Sequence, residues 1–138
     1  MKTQEIISLL KKKGFRITLA RKAMIGIFVR FFDPISVLEI QKQLSKRKIL
    51  VNKSTIYREV QFLLRAQIIH EIKLVNREMY YELNGRDHHH HLVCENCGAI
   101  EDVNISNEKK IMENLQGKTA FHIKTHSLEF YGLCHNCQ

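Results

Sequence analysis

The chain has 138 residues, 44% of them hydrophobic and 26% charged, with one proline, no tryptophan and four cysteines. Such a composition belongs to a globular protein and excludes a low-complexity chain, and the longest uncharged apolar stretch, Ala23 to Val29, is far too short to span a bilayer; a soluble, cytoplasmic protein is expected. The formal net charge of +8 is segregated: residues 1–84 hold 17 Lys and Arg against 7 Asp and Glu, whereas residues 85–138 hold 5 against 7, so a basic polyanion-binding part precedes an acidic, ligand-rich part.

In chain order, Ile6, Leu9, Leu10 and Lys13 mark one face of a first helix that Gly14 can end by adopting a left-handed conformation. Thr18 is the expected N-cap of a second helix, in which Met24, Ile27, Phe28 and Phe31 recur at the spacing of a buried stripe. Asp33-Pro34 stops it, and Ser36-Val37-Leu38-Glu39 reads as a capping box opening a third helix with Val37, Ile40 and Leu44 inward. A fourth helix is expected from Ser54, burying Ile56, Val60, Leu63 and Leu64. Its opposite face, Ser54, Tyr57, Arg58 and Gln61, carries hydroxyl, phenol, guanidinium and amide groups without a carboxylate, which suits the DNA major groove and also suits an ordinary solvated surface.

Beyond Gln67 the apolar period shortens. Ile68–Leu74 and Met79–Leu83, joined across Val75-Asn76-Arg77-Glu78, read as a β-hairpin, so the first part is expected to be a winged helix-turn-helix with Arg77 near the wing tip and Lys73 assisting in phosphate contact. After a boundary at Asn84-Gly85, a His-rich strand, a helix over Ser106–Leu115 with Ile111 and Leu115 on one face, and a strand pair at Phe121–Lys124 and Ser127–Leu133 suggest a small α/β unit. A piece of that size buries little surface by itself, and zinc and dimerisation are the obvious supplements.

That second part is organised around DHHHHLVCENC, residues 87–97. Cys94 and Cys97 share a Cys-x-x-Cys spacing with Cys134 and Cys137, and two such hooks make a complete tetrahedral zinc site; two disulfides are the alternative in a secreted protein. If the histidine run is extended, side chains alternate between faces, so His88 and His90 point one way and His89 and His91 the other. Four adjacent imidazoles then serve two metal sites, the alternative being a solvated tract that binds metals loosely.

The motifs GFRITLAR at 14–21, STIYR at 54–58, HHHHLVCENCG at 88–98 and HSLEFYGLC at 126–134 together resemble the ferric-uptake-regulator family of metal-dependent repressors, and within it the zinc-uptake branch. The resemblance implies an α/β (α+β) chain: a winged helix-turn-helix DNA-binding domain over 1–84 and a small α/β dimerisation and metal-binding domain over 85–138. It implies a homodimer that grips a palindromic operator when a regulatory divalent metal closes the two arms. By position, Arg16, Lys53, Ser54, Thr55, Tyr57, Arg58, Gln61 and Arg77 would contact DNA, with Arg16 reaching toward the minor groove. Cys94, Cys97, Cys134 and Cys137 would hold structural zinc. His70, Glu82, His89, His91 and Asp102 would form a hinge regulatory site, and His88, His90, Glu108 and His126 a second one. No histidine precedes His70, which departs from the family's iron and peroxide sensors, and a His70-containing tetrahedral set suits zinc over iron or manganese. Ala20 stands where the family commonly has proline. A zinc enzyme is the rival class, but the chain lacks His-Glu-x-x-His; a zinc-storage or delivery protein would explain the ligands and not the basic part.

Overall fold

The computed structural model describes residues 2–73, 79–124 and 126–138, and divides the chain into two compact units, Met1–Arg86 and Asp87–Gln138. The expected wing turn, and Arg77 with it, lies outside the described residues. The first unit runs α1 (Thr3–Lys12), α2 (Leu19–Arg30), β1 (Ile35–Ser36), α3 (Val37–Lys46), α4 (Lys53–Arg65), β2 (Ile69–Lys73) and β3 (Met79–Leu83).

Local chemistry sets the helix ends. Thr18 Oγ1 accepts from the Arg21 N–H at 3.1 Å and Ser36 Oγ from the Glu39 N–H at 3.3 Å, each satisfying a donor that has no partner inside its helix. The Glu39 carboxylate does not complete the expected box but accepts from Gln43 Nε2 at 2.8 Å. α4 starts earlier than Ser54, because Asn52 is the better cap: its Oδ1 accepts from the Thr55 N–H at 2.8 Å and the Ser54 hydroxyl at 2.9 Å.

Three helices end in the same Schellman turn. Phe15 N–H reaches Leu10 O, Ile49 N–H reaches Leu44 O and Ile68 N–H reaches Leu63 O, at 3.0, 3.0 and 2.9 Å. The left-handed residue at each turn is Gly14 (φ 82), Lys48 (φ 57) and Gln67 (φ 56). After Lys48 and Gln67 the next residues, Ile49 and Ile68, pack back on the core, which explains why the turn forms where a side chain makes the left-handed conformation costly; Phe15, after Gly14, stays 41% exposed and meets the Phe62 ring edge-on.

One apolar core fills this unit. Ile6, Leu10, Met24, Ile25, Ile27, Phe28, Ile40, Leu44, Ile56, Val60, Leu63 and Ile69 are fully buried, each worth roughly 1.5–3 kcal/mol of transfer free energy. Two expectations differ: Ile7 is buried where Leu9 was expected, and Leu64 is only partly covered. The hairpin forms in antiparallel register, Ile69 opposite Leu83 through Lys73 opposite Met79, and gains a third strand that the sequence had not suggested, with Ile35 opposite Tyr81.

The second unit comprises β4 (His90–Cys94), β5 (Ile100–Val103), α5 (Glu108–Lys118), β6 (Glu129–Gly132) and a 3₁₀ turn at His135–Cys137. β4 is central, antiparallel to β5 and parallel to β6. Phe121–Lys124 is not a strand: both edges of β4 are already taken, and Phe121 is 81% exposed. α5 begins and ends later than expected, and its Ile111 and Leu115 face solvent in the single chain. Among the described residues of this unit only His90, His91 and Cys94 are buried, so its interior is made of ligand-type side chains rather than of hydrocarbon.

Candidate metal centres and nucleic-acid interface

On α4, Lys53, Ser54, Tyr57, Arg58 and Gln61 are exposed and Thr55 is half-covered. An open cleft of about 580 Å³ is lined by Arg21, Thr55, Tyr57, Arg58, Gln61 and Arg65 among others. Ser54 and Thr55 take part in the helix cap, so both hold the helix start as well as facing outward. Arg16 is exposed, and its carbonyl accepts from Arg21 Nη1 at 2.6 Å. Arg21 also holds Glu59 and lies 3.5 Å over the Phe62 ring, which Phe15 meets edge-on at 5.1 Å between centroids. The segment carrying Arg16 is thereby fastened to the helix that presents Tyr57 and Arg58.

Also in the first unit, β2 and β3 place His70 opposite Glu82. The Asn84 amide donates to the carbonyls of Gln67 and Ile69 at 2.9 and 3.3 Å, which turns its Oδ1 toward His70 Nδ1, 2.7 Å away. An amide oxygen only accepts, so Nδ1 carries a proton and Nε2 is left facing Glu82 Oε1 at 2.8 Å. Either a second proton or a metal ion must sit on that axis. The hydrogen bond to Glu82 raises the His70 pKa above its ordinary value despite the opposing cost of burial. Asn84 is a residue that sequence reasoning passed over as a domain boundary.

In the second unit the histidine run separates as the alternation argument requires. His88 and His90 lie with their ring centroids 4.8 Å apart, and His89 and His91 lie 5.0 Å apart in a second pair. On the first side, His88 Nε2 and His90 Nε2 reach the two oxygens of Glu108 at 2.7 and 3.1 Å, and His126 Nε2 meets both Glu108 and, at 3.2 Å, His88 Nε2. Burial opposes ionisation of Glu108, but hydrogen bonds from His90 and His88 outweigh it and hold its carboxyl below the usual range. The donor atoms of these four residues all lie within 4.8 Å of one another. Three imidazoles and a carboxylate converging in this way form a donor set that fits a divalent cation.

On the other side, the register that sets His91 opposite Asp102 leaves Asp102 Oδ1 3.7 Å from His91 Nε2 and 3.9 Å from His89 Nε2. His89 Nδ1 donates to the Asp87 carbonyl at 2.7 Å, which fixes the tautomer with Nε2 available as a ligand.

The four cysteines are free thiols whose sulfurs lie within 4.8 Å of one another. The parallel pairing of β4 with β6 sets Cys94 opposite Gly132 and so delivers the second hook to the first. Gly98, at φ 73, closes the first knuckle by donating to the Cys94 carbonyl at 2.9 Å. Cys134 N–H donates to Cys94 Sγ at 3.3 Å and pulls that thiol down to about 6, while sharing with the Cys137 and Cys97 thiols pushes Cys134 up to about 12. Four sulfurs this close cannot all ionise without a cation among them, and the set fits zinc.

Residues 12–131 match the model of the ferric uptake regulator family. The chain belongs to that family. It is 33% identical to the ferric uptake regulation protein of Staphylococcus epidermidis, over all of this chain and 97% of that protein. The Helicobacter pylori ferric uptake regulator superposes with a TM-score of 0.88 at 20% identity, over 99% of this chain and 94% of that one. A zinc uptake regulator complexed with zinc and DNA matches with a TM-score of 0.64 at 22% identity, over 99% of this chain and 95% of that one. Ferric-uptake-regulator proteins are metal-responsive transcription regulators, not enzymes, and they bind DNA as dimers. No helix among the described residues is long and apolar enough to cross a membrane.

Proposed function

We propose that this regulator responds to zinc and that, when zinc-loaded, it acts in the cytoplasm as a homodimeric repressor of zinc-uptake genes at a palindromic operator. The observation that carries the reading is His70, pinned by Asn84 so that Nε2 faces the Glu82 carboxylate at 2.8 Å. Zinc bound by an imidazole nitrogen and a carboxylate oxygen at about 2.0–2.1 Å and a tetrahedral angle needs the two atoms roughly 3.3 Å apart, a small opening of the pair as it stands. His89 and His91 complete a four-ligand set with His70 and Glu82, and Asp102, whose Oδ1 faces the Nε2 atoms of both rings, is available as a further ligand. Cys94, Cys97, Cys134 and Cys137 hold a structural zinc, and His88, His90, Glu108 and His126 hold a second exchangeable ion.

Zinc supplies positive charge and tetrahedral direction, and the ligands drawn from the two units do the rest. The set favours the DNA-competent arrangement only by the difference in affinity between the closed and open states. Lys53, Tyr57, Arg58 and Gln61 then meet the major groove, with Arg16 and Arg77 on the flanks, and the basic first unit supplies salt-dependent affinity.

The test is affinity for a palindromic AT-rich duplex, titrated separately with zinc, ferrous iron and manganese while the four-cysteine zinc is retained. A response to zinc at much lower free concentration than to iron, abolished in His70→Ala and His89→Ala, supports the reading. A response to iron first, indifferent to His70→Ala, overturns it in favour of an iron-uptake regulator.

A further inference from the structure

We infer that Arg21 and Glu59 are positioning residues for DNA binding: together they brace Arg16 against α4, so that the connector before α2 and the face carrying Tyr57 and Arg58 meet the duplex at a fixed spacing. The inference rests on the proposal above that Arg16 and α4 contact one duplex. It goes beyond that proposal in naming two residues that act without touching DNA.

Gly14, at φ 82, ends α1 and Thr18 caps α2, so only residues 15–17 lie between the two. A short, largely exposed connector leaves a long side chain such as Arg16 on a loose base unless its backbone is held. Here it is held from α4. Glu59 takes Arg21 Nε and Nη2 at 2.8 and 3.1 Å, and the remaining nitrogen, Nη1, donates to the Arg16 carbonyl at 2.6 Å. The same guanidinium stands 3.5 Å over the Phe62 ring, which Phe15 meets edge-on. Phe15 and Arg16 are thus tied to Glu59 and Phe62, which follow Arg58 directly and one turn later on the helix.

Arg21 also lines the open cleft beside Arg58 and Arg65, where a phosphate contact is the rival role. The geometry favours the brace. All three guanidinium nitrogens have protein acceptors, the side chain is 13% exposed, and Glu59 offsets its charge. A rigid fork that joins a carboxylate to a carbonyl is what a guanidinium supplies and an ammonium does not. Fixing both contact elements before DNA arrives removes an ordering cost that binding would otherwise meet.

The experiment is a double-mutant cycle on the full-length, zinc-loaded protein, with affinity for a palindromic AT-rich duplex measured at active concentrations set by stoichiometric titration. Arg16→Ala is expected to weaken binding by about tenfold in the otherwise unchanged protein, and by about threefold or less in the Arg21→Gln and Glu59→Gln backgrounds. A simple loss of folded protein lowers the active fraction and leaves that comparison unmoved. The same factor for Arg16→Ala in all three backgrounds overturns the inference while both contact surfaces stand. A fall of about 1 in the salt slope on Arg21→Gln, persisting when Arg16 is already alanine, makes Arg21 a phosphate contact and also overturns it. If Arg16→Ala changes nothing while Arg58→Ala still weakens binding, Arg16 does not reach DNA, and the reading beneath the inference fails first.

Discussion

Arg21 and Glu59 meet at two points, Nε to Oε2 at 2.8 Å and Nη2 to Oε1 at 3.1 Å, and both side chains are 13% exposed. The pair ties α2 to α4 across the core and sits under the aromatic contact of Phe15 with Phe62. Glu59→Ala leaves a largely covered guanidinium without its carboxylate and is expected to cost roughly 2 kcal/mol in urea unfolding. A loss under about 0.5 kcal/mol would mean that the pair is no more than an ordinary surface contact.

Lys48 is an exposed residue with left-handed backbone at the end of α3. Lys48→Gly removes the Cβ strain of that conformation and gives back part of it as unfolded-state entropy, for a net stabilisation of roughly 0.5–1 kcal/mol. Thermal unfolding of the two proteins side by side decides it, and a lower melting temperature in the glycine variant contradicts the account.

Arg58 and Tyr57 stand on the outward face of α4 and should separate in their effects on DNA. Arg58→Ala is expected to weaken binding to all duplexes and to reduce the slope of log affinity against log salt by about 1 if the guanidinium meets a phosphate. Tyr57→Ala should leave that slope alone and narrow the gap between operator and random sequence. Equal loss on both sequences for Tyr57→Ala would show that it does not read bases.

The pH dependence of the apo-protein follows from His70. Its folded pKa lies above the unfolded value near 6.5, so the pair with Glu82 stabilises fully below that value and its contribution fades as pH rises through the raised folded value. The stability difference between the wild type and His70→Ala should therefore be largest near about pH 5.5 and smallest near about pH 9. Zinc binding runs oppositely, because it must expel the same proton, and weakens toward acid.

The two histidine pairs make independent predictions. His88→Ala should lower occupancy of the cluster with His90, Glu108 and His126 while zinc-dependent DNA binding survives. His89→Ala should abolish the DNA response while that cluster still fills, as metal analysis after mild chelation would reveal. Loss of both functions in either variant would mean that the four rings act as one centre.

Much of this was legible from local pattern. The Cys-x-x-Cys hooks, the two-residue alternation of the histidines, the Thr18 cap and the Ile40–Leu44 and Ile56–Val60–Leu63 stripes depend on neighbours close in the chain, and they appear in the structure as read. What was missed depends on partners far away or on another chain. The two-residue strand Ile35–Ser36 exists only because Tyr81 and Tyr80 come to meet it. Asn84 looked like a boundary residue and Arg86 drew no reading, because their partners, His70 and the Phe32 carbonyl, lie 14 and 54 positions distant. Ile111 and Leu115 have helical spacing, but in the single chain they stay about half exposed, at 48% and 47%.

The histidine run is anchored at its Cys94 end, through β4's pairing with β5 and β6. Because its four members are identical, losing any one codon has one outcome: Asp87 slides into the place of His88, and three imidazoles still fill the places of His89, His90 and His91. Replication slippage in this repetitive tract thus falls on the centre built with Glu108 and His126, whereas the pair assigned to metal sensing is shielded by the repetition itself.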